Sequence, residues 1–279
     1  MSTARIFIDR YAIKELRKHT EIFGEIIESP YEFKTISSIS NFSIVFNAKE
    51  SAWLLEDTDS VAIIIAKVKP DNFELTVNKA FCICKNPRDI YSYLMNFGLK
   101  SGRGSWALRN EINFVHPTAK IHPSTQLGSN VYINADVEIG ANCSIGFQGF
   151  GFGRIENEAF RLLHTGGVYI GKKSKISNNV TIVAGTFDAT TVGDNVLVDD
   201  HVHIAHNCRI GNNATLTAAT TLSGSTTVGS DTWLGPNSSI INGAKIGDGV
   251  FVGIGACVTK SFECGVIAGN PAKQLRVEK

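Results

Sequence analysis

"GDNVLV DDHVHI AHNCRI GNNATL TAATTL SGSTTV GSDTWL GPNSSI INGAKI GDGVFV GIGACV" runs without a gap over residues 193–258. Every group of six closes on Val, Ile or Leu. The fourth place is mostly small or β-branched: Val196, Val202, Cys208, Ala214, Thr220, Thr226 and Val250. A period of six does not fit a helix, which turns every 3.6 residues. It fits a short strand, a corner and another short strand. Three such units make one triangular coil of 18 residues, and stacked coils bury the aliphatic column between them. Gly is frequent at the first place, and Gly and Asn suit corners because they tolerate positive φ.

The same beat extends upstream. HPTAKI, HPSTQL, GSNVYI, NADVEI and GANCSI fill 116–145, and GKKSKI and SNNVTI fill 171–182. Two stretches interrupt it: "GFQGFGFGRIENEAFRLLHTGGVYI" (146–170) and "VAGTFDATTV" (183–192). Counted as one enlarged unit each, they lie six and three units before AHNCRI. Units a multiple of three apart share a face of the prism, so both insertions are expected on the face that carries His206. Loops on one face of a solenoid commonly build a binding site.

Along that face, steps of 18 lead from His206 to Gly224, Asn242 and Lys260. Three steps of one strand spacing span roughly 14 Å, the reach of a pantetheine-like arm. Gly224 would admit a thioester beside the histidine, and Lys260 would meet a phosphate at the far end. Strand alternation points Val202, Ile204 and Cys208 inward and His201, His203 and His206 outward. A histidine near neutral pKa suits proton removal from an amine attacking a thioester. Asp188 or Asp199 would orient it or bind substrate hydroxyls.

Composition narrows the field. The chain has 279 residues with 27 Lys plus Arg against 26 Asp plus Glu, a balance that argues against a nucleic-acid protein. It has no secretory signal and no apolar run near the ~20 residues of a membrane span. The six cysteines, at 82, 84, 143, 208, 257 and 264, lack zinc-ribbon spacing and read as buried reduced thiols of a cytoplasmic protein.

Before residue 115 the six-residue pattern is absent. "FSIVFN" (42–47), "VAIIIA" (61–66) and "AFCIC" (80–84) read as strands. "NPRDIYSYLMNFG" (86–98) reads as a helix capped by Asn86, with Pro87 in its first turn and Gly98 at its end. "KSGRGS" (100–105) reads as a linker. The expected organisation is a small α/β domain over 1–113, a β-helix over 114–264 and a C-terminal cap over 265–279.

The repeat resembles the hexapeptide-repeat acyltransferases. That resemblance implies a mainly β protein with a left-handed parallel β-helix, assembled as a homotrimer with active sites between subunits. "IAHN" (204–207), preceded by "VDD" (198–200), together with "GFGFG" (149–153) and "GGVYIG" (166–171), resembles one branch. It comprises the UDP-3-O-acyl-glucosamine N-acyltransferases of lipid A synthesis and related sugar N-acyltransferases. The resemblance makes His206 the catalytic base; His164, Asp188, Asp199, Asp200 and Asn207 are the expected substrate-binding residues beside it. "SIVFNAKES" (43–51) is similar to that branch's uridine-contacting loop, implying a UDP or dTDP site at Asn47 and Lys49; the branch's flanking aromatics are replaced by Ile44 and Glu50, and Phe46 or Trp53 would supply the stacking surface instead. "GNPAKQLR" (269–276) resembles the closing segment of coenzyme A-using members, implying phosphate contacts from Lys273 and Arg276.

Two departures steer the expected chemistry. Where the lipid A enzyme has a second histidine after an Asn-Gly pair, Ala244 follows Asn242 and Gly243, beside the expected donor groove. The chain also stops without the helical extension that engages acyl carrier protein. The expectation is therefore an N-acyltransferase moving an acetyl group from acetyl-CoA to a nucleotide-linked amino sugar for surface polysaccharide or lipopolysaccharide synthesis, with no resident cofactor or metal. The lipid A reaction with an acyl carrier protein donor is the first alternative. A zinc lyase like the γ-class carbonic anhydrases, using His164, His201 and His206, is the second. A non-catalytic scaffold that binds sugar nucleotides is the third.

Overall fold

The computed structural model describes residues 5–9, 13–23, 31–33, 43–46, 62–68, 79–101, 104–107 and 113–276. The chain divides into two compact units. One is the repeat segment, 110–149 and 164–279, with the first three residues; the other is 4–109 together with 150–163.

The repeat unit is a parallel β-solenoid with three faces. The first face stacks Gln126–Leu127, Ser144–Phe147, Thr181–Val183, His203–Ile204, Thr221–Leu222, Ser239–Ile240 and Cys257–Val258. The second runs from Phe114–Val115 to Lys245–Ile246, and the third from Lys120–Ile121 to Phe251–Val252 and on to Val266–Ala268. Register follows the repeat: His203 pairs with Thr221, Thr221 with Ser239, and Ser239 with Cys257. The residues that close each six form the core. Ile204, Leu222, Ile240 and Val258 are at most 1% exposed, and burying each stabilises the coil by about 1.5–3 kcal/mol. The fold class is the one expected, a mainly β protein with a hexapeptide-repeat, left-handed parallel β-helix.

The corners show why the six-residue unit has its composition. The third place of all eleven units is left-handed, with φ between 54° and 74°, from Asn195 through His201, Asn207 and Asn213 to Gly255. Asn dominates there because its short amide tolerates this region. The first-place glycines answer a different need. A Cβ on Gly211 would lie 2.5 Å from the Ser230 nitrogen of the next coil, so Gly is there for close approach rather than for φ. Corner carboxylates and amides then tie coil to coil. Asp194, Asp200 and Asp248 accept the N–H groups of Lys172, Asn178 and Ser230, each at 2.7 Å.

The third face carries an apolar column on its outside. Leu197 pairs with Thr215, Thr215 with Trp233, and Trp233 with Phe251. Trp233 and Phe251 stack at 6.2 Å with ring planes 2° apart, and both are more than 40% exposed, as is Leu197.

The N-terminal unit holds β1 (Arg5–Ile8), β2 (Glu21–Phe23), β3 (Tyr31–Phe33), β4 (Ser43–Phe46), β5 (Ala62–Ala66), β6 (Lys79–Ile83) and β7 (Gly104–Ala107). They form one sheet in the order β2-β6-β5-β4-β3-β1-β7. The strands expected at 42–47, 61–66 and 80–84 are β4, β5 and β6. Ile63, Ile64 and Ile65 of β5 are fully buried, and so are Tyr91, Leu94 and Met95 of the helix Pro87–Lys100. Two expectations are corrected here. The helix continues past Gly98 to Lys100, because a glycine costs only about 1 kcal/mol inside a helix that packing already holds. The stretch expected as a linker contains β7, whose residues 104–107 pair antiparallel with β1.

The middle of the first insertion also departs from expectation. Residues 150–163 belong to the N-terminal unit, as an antiparallel hairpin of Phe152–Ile155 and Glu158–Arg161. The helix Pro87–Lys100 clamps it. Asp89 Oδ1 accepts the Arg154 N–H at 2.9 Å, Asn96 Nδ2 donates to the Arg161 carbonyl at 2.8 Å, and Tyr93 meets Phe160 edge-on. A Cβ on Gly153 would lie 2.5 Å from Asp89 Cα, so this closeness requires glycine. Only the two ends of the insertion stay with the solenoid.

All the described cysteines are free thiols. Cys82, Cys143 and Cys208 are buried as expected, but Cys84 and Cys257 are partly exposed and Cys264 is exposed, on the bend before Val266–Ala268. No helix among the described residues is long and apolar enough to cross a membrane.

Candidate active site at one corner of the solenoid

His206 lies at the corner between the first and second faces, following His203–Ile204 and preceding Arg209–Ile210. Val202, Ile204 and Cys208 point into the core, and His206 is half-exposed at the turn. Both insertions leave the coil at this same corner. The first joins Ser144–Phe147 to Val168–Ile170, and the second joins Thr181–Val183 to Thr190–Val192.

The insertions are bonded to each other and to the histidine. The N–H groups of Thr165 and Gly166 donate to the carbonyls of Thr186 and Gly185 at 2.7 and 2.8 Å. Asn207 then joins the second insertion to His206. Its Oδ1 accepts from the Thr186 N–H at 3.1 Å and the Thr186 hydroxyl at 2.9 Å, and its Nδ2 donates to the Asp188 carbonyl at 3.1 Å. Thr190 Oγ1 accepts the Asn207 N–H at 2.9 Å. These bonds fix which end of the amide is oxygen. His206 Nδ1 lies 3.1 Å from that oxygen, which can only accept, so Nδ1 carries the proton and Nε2 carries the lone pair.

His164 packs against the same ring. The two imidazole centroids are 5.1 Å apart with planes at 60°. His164 is only 3% exposed. Gln148 brackets its backbone, Oε1 accepting the His164 N–H and Nε2 donating to the His164 carbonyl, both at 2.8 Å. Gly149 leaves room for the ring, since a Cβ there would lie 2.7 Å from His164 Nε2.

Above His206 the corner runs through the positions expected. A Cβ on Gly224 would lie 2.5 Å from both Cε1 and Nε2 of His206. With its amide oriented to pair at both ends, Asn242 donates to the Gly224 carbonyl at 3.0 Å and accepts the Gly243 N–H at 3.3 Å. Lys260 follows the last strand of the first face. Lys260 and Lys273 line one depression of about 420 Å³ with Ser261, Glu263 and Gln274. Arg276 ends the strand Lys273–Arg276, which folds back antiparallel on Val266–Ala268.

Other expected site residues lie elsewhere. Ala244 is buried in the solenoid core, so its side chain does not line the corner. Asp199 and Asp200 occupy the corner between the third and first faces, at the other end of His203–Ile204. There Asp199 Oδ1 accepts the Asp200 N–H at 2.8 Å, and Asp200 serves the Asn178 corner. His201 occupies the same corner and is exposed, so the three histidines of the zinc alternative do not gather within one chain. Among the described residues no group of three His, Cys, Asp or Glu side chains is placed to hold a metal. Phe46 ends β4, but its side chain, like Asn47, Lys49 and Trp53, lies outside the described residues.

Burial sets the titration of two neighbours. It holds the His203 imidazole below its ordinary value and pushes the Cys208 thiol up to about 11. Sequence reasoning missed Gln148, Thr186 and Thr190. They sit in or beside the insertions, where no period predicts which side chain turns inward.

Residues 118–148, 189–224 and 225–260 match the family model described as bacterial transferase hexapeptide (six repeats). No curated protein sequence matches the chain. Among solved structures, a UDP-N-acetylglucosamine O-acyltransferase of Moraxella catarrhalis RH4 is 22% identical, covering 61% of this chain and 74% of its own, with a TM-score of 0.44. A UDP-N-acetylglucosamine acyltransferase of Campylobacter jejuni is 25% identical over 58% of this chain and 74% of its own, with a TM-score of 0.43. An Arabidopsis UDP-N-acetylglucosamine acyltransferase is 18% identical over 59% and 74%, with a TM-score of 0.45. Three stretches of the solenoid thus match the hexapeptide repeats that the bacterial transferase model describes.

Proposed function

We propose that the chain is an N-acyltransferase that moves an acetyl group from acetyl-CoA to the amine of a UDP- or dTDP-linked sugar. The observation that carries this reading is the His206 ring, whose Nε2 lone pair lies beside the bare backbone of Gly224. The acceptor nitrogen attacks the thioester carbonyl carbon while Nε2 takes a proton from that nitrogen. The C–N bond forms, the C–S bond breaks, and the thiolate leaves to be protonated. Backbone N–H groups of the corner would stabilise the oxyanion.

The pantetheine arm would lie along the corner from Gly224 past Asn242, with Lys260 and Lys273 meeting phosphates where they share one depression. Arg276 is the third cation assigned to this end. Asp188 would contact the sugar at the corner, whereas His164, 3% exposed, is too buried for the sugar contact expected of it; Asp199 and Asp200 would contact the sugar only from a neighbouring subunit's site. The N-terminal unit would hold the nucleobase through Asn47 and Lys49, which the resemblance implies, and through Phe46 or Trp53 as a stacking surface. The exposed column of Leu197, Trp233 and Phe251 supports a homotrimer closed through the third faces. A cytoplasmic enzyme of surface polysaccharide or lipopolysaccharide synthesis is the setting that fits these substrates.

Mass spectrometry of products from UDP- and dTDP-amino sugars, each offered acetyl-CoA and an acyl carrier protein donor, tests the reading. A product heavier by one acetyl group is expected with acetyl-CoA. His206→Ala should lower kcat by about 10²–10⁴ with the fold intact. Turnover near wild type in that variant, or acylation of hydroxyl acceptors only, overturns the assignment.

A further inference from the structure

We propose that His164 is a positioning residue for His206: a buried imidazole that stays neutral while His206 carries the proton, so that the two rings titrate as one coupled pair. The inference deepens the proposed acyltransfer and rests on it for the role of His206 as base. Its titration behaviour can be measured without substrate.

The geometry points to this pairing from several sides. The rings meet at 5.1 Å, close enough for a charge on one to oppose a charge on the other. Their exposure differs: His206 is half-exposed at the corner, whereas His164 is 3% exposed. Desolvation disfavours the charged form of an imidazole, so the first proton goes to His206. Once that ring is an imidazolium, repulsion delays the second proton further.

The cradle is also built to hold His164 in one place. Gln148 fixes its backbone in both directions, and the absence of a side chain at Gly149 makes room for its ring. Thr165, the next residue, bonds the Thr186 carbonyl, and Thr186 bonds the same Asn207 oxygen that takes the His206 Nδ1–H. One network therefore sets the position of both rings. The segments around the pair otherwise present neutral side chains in Gln148, Thr186, Asn207 and Asn242. Titratable and charged groups on adjoining segments include Asp188, half-exposed on the second insertion, His203, half-buried on the preceding strand, and Arg209, exposed on the following strand.

Histidine NMR titration of the full chain tests this, with signals assigned through His164→Gln and His206→Gln. In the wild type His206 should take the first proton, and His164 should follow at least about one pH unit lower. In His206→Gln the His164 midpoint should rise, because the repelling charge is gone. Should either variant fail to fold, the wild-type curves decide alone: coupled rings each register both midpoints, independent rings one. His164→Ala should lower kcat about tenfold or more with KM changed less than about threefold, and His164→Gln should recover part of the loss. Independent titration of the rings, or the first proton on His164, overturns the inference. Coupled titration in a protein without acyltransfer would leave the pair standing and remove the proposed function instead.

Discussion

Asn207 Oδ1 stands 3.1 Å from His206 Nδ1 and is simultaneously the acceptor for both donors of Thr186. A neutral amide therefore orients the ring. Asn207→Ala removes the acceptor and should cost about 10–100-fold in kcat/KM. Asn207→Asp keeps an acceptor but adds a negative charge, which stabilises the imidazolium. The acidic limb of its pH–rate profile should then move to higher pH than in the wild type. Superimposable profiles would show that this oxygen does not set the state of the ring.

Gly224 bears on the same ring by steric exclusion. Its φ lies outside the left-handed region, so alanine meets no backbone strain there. The new Cβ would nonetheless fall 2.5 Å from His206 Nε2. Gly224→Ala should displace the half-exposed imidazole at a stability cost of about 1–3 kcal/mol, while kcat/KM drops about 10²-fold. Thermal melts and steady-state kinetics on one preparation separate the two effects.

The third face carries the prediction about assembly. Leu197, Trp233 and Phe251 form an exposed, in-register apolar column, and aromatic anchors dominate the energetics of interfaces. Trp233→Glu should convert the proposed trimer to monomers in sedimentation experiments and leave the solenoid's circular dichroism unchanged. An unaltered trimer would place the subunit contact on another face.

Thiol chemistry reports on the solenoid core. Burial raises Cys208 to about 11 and, in the other unit, Cys82 to about 12. At pH 8 a thiol reagent should modify exposed Cys264 at once, and these two only on unfolding. The same shifts have a thermodynamic consequence. A thiol that ionises near 9.0 when unfolded but near 11 when folded favours the native state below pH 9. That contribution, about 3 kcal/mol for Cys208, is lost as pH rises from 9 to 11. Denaturation curves at pH 8 and pH 11 measure it, and Cys208→Ser should flatten the difference.

The solenoid was legible because its rule is local. An aliphatic residue at every sixth place, with a turn residue, often Asn or Gly, three places earlier, states where the chain turns and which side chains enter the core. Eighteen-residue arithmetic then stacks His206, Gly224, Asn242 and Lys260 at one corner without any long-range information. The insertions carry no such period. Nothing local in "GFQGFGFGRIENEAFRLLHTGG" (146–167) says that its middle forms a hairpin belonging to the other unit while its ends return to the corner. Likewise β7 lies in a stretch rich in Gly and Ser, and becomes a strand because β1 offers an unpaired edge.

The sequence by itself determined the coil, its register and the corner on which His206 sits, since a repeat of six constrains the backbone at every step. Tertiary structure alone decided that His164 packs on that ring and that Asn207 fixes its tautomer through Thr186. Those outcomes depend on hydrogen bonds and burial between segments far apart in the chain, where donor, acceptor and available space are settled only once the loops have closed.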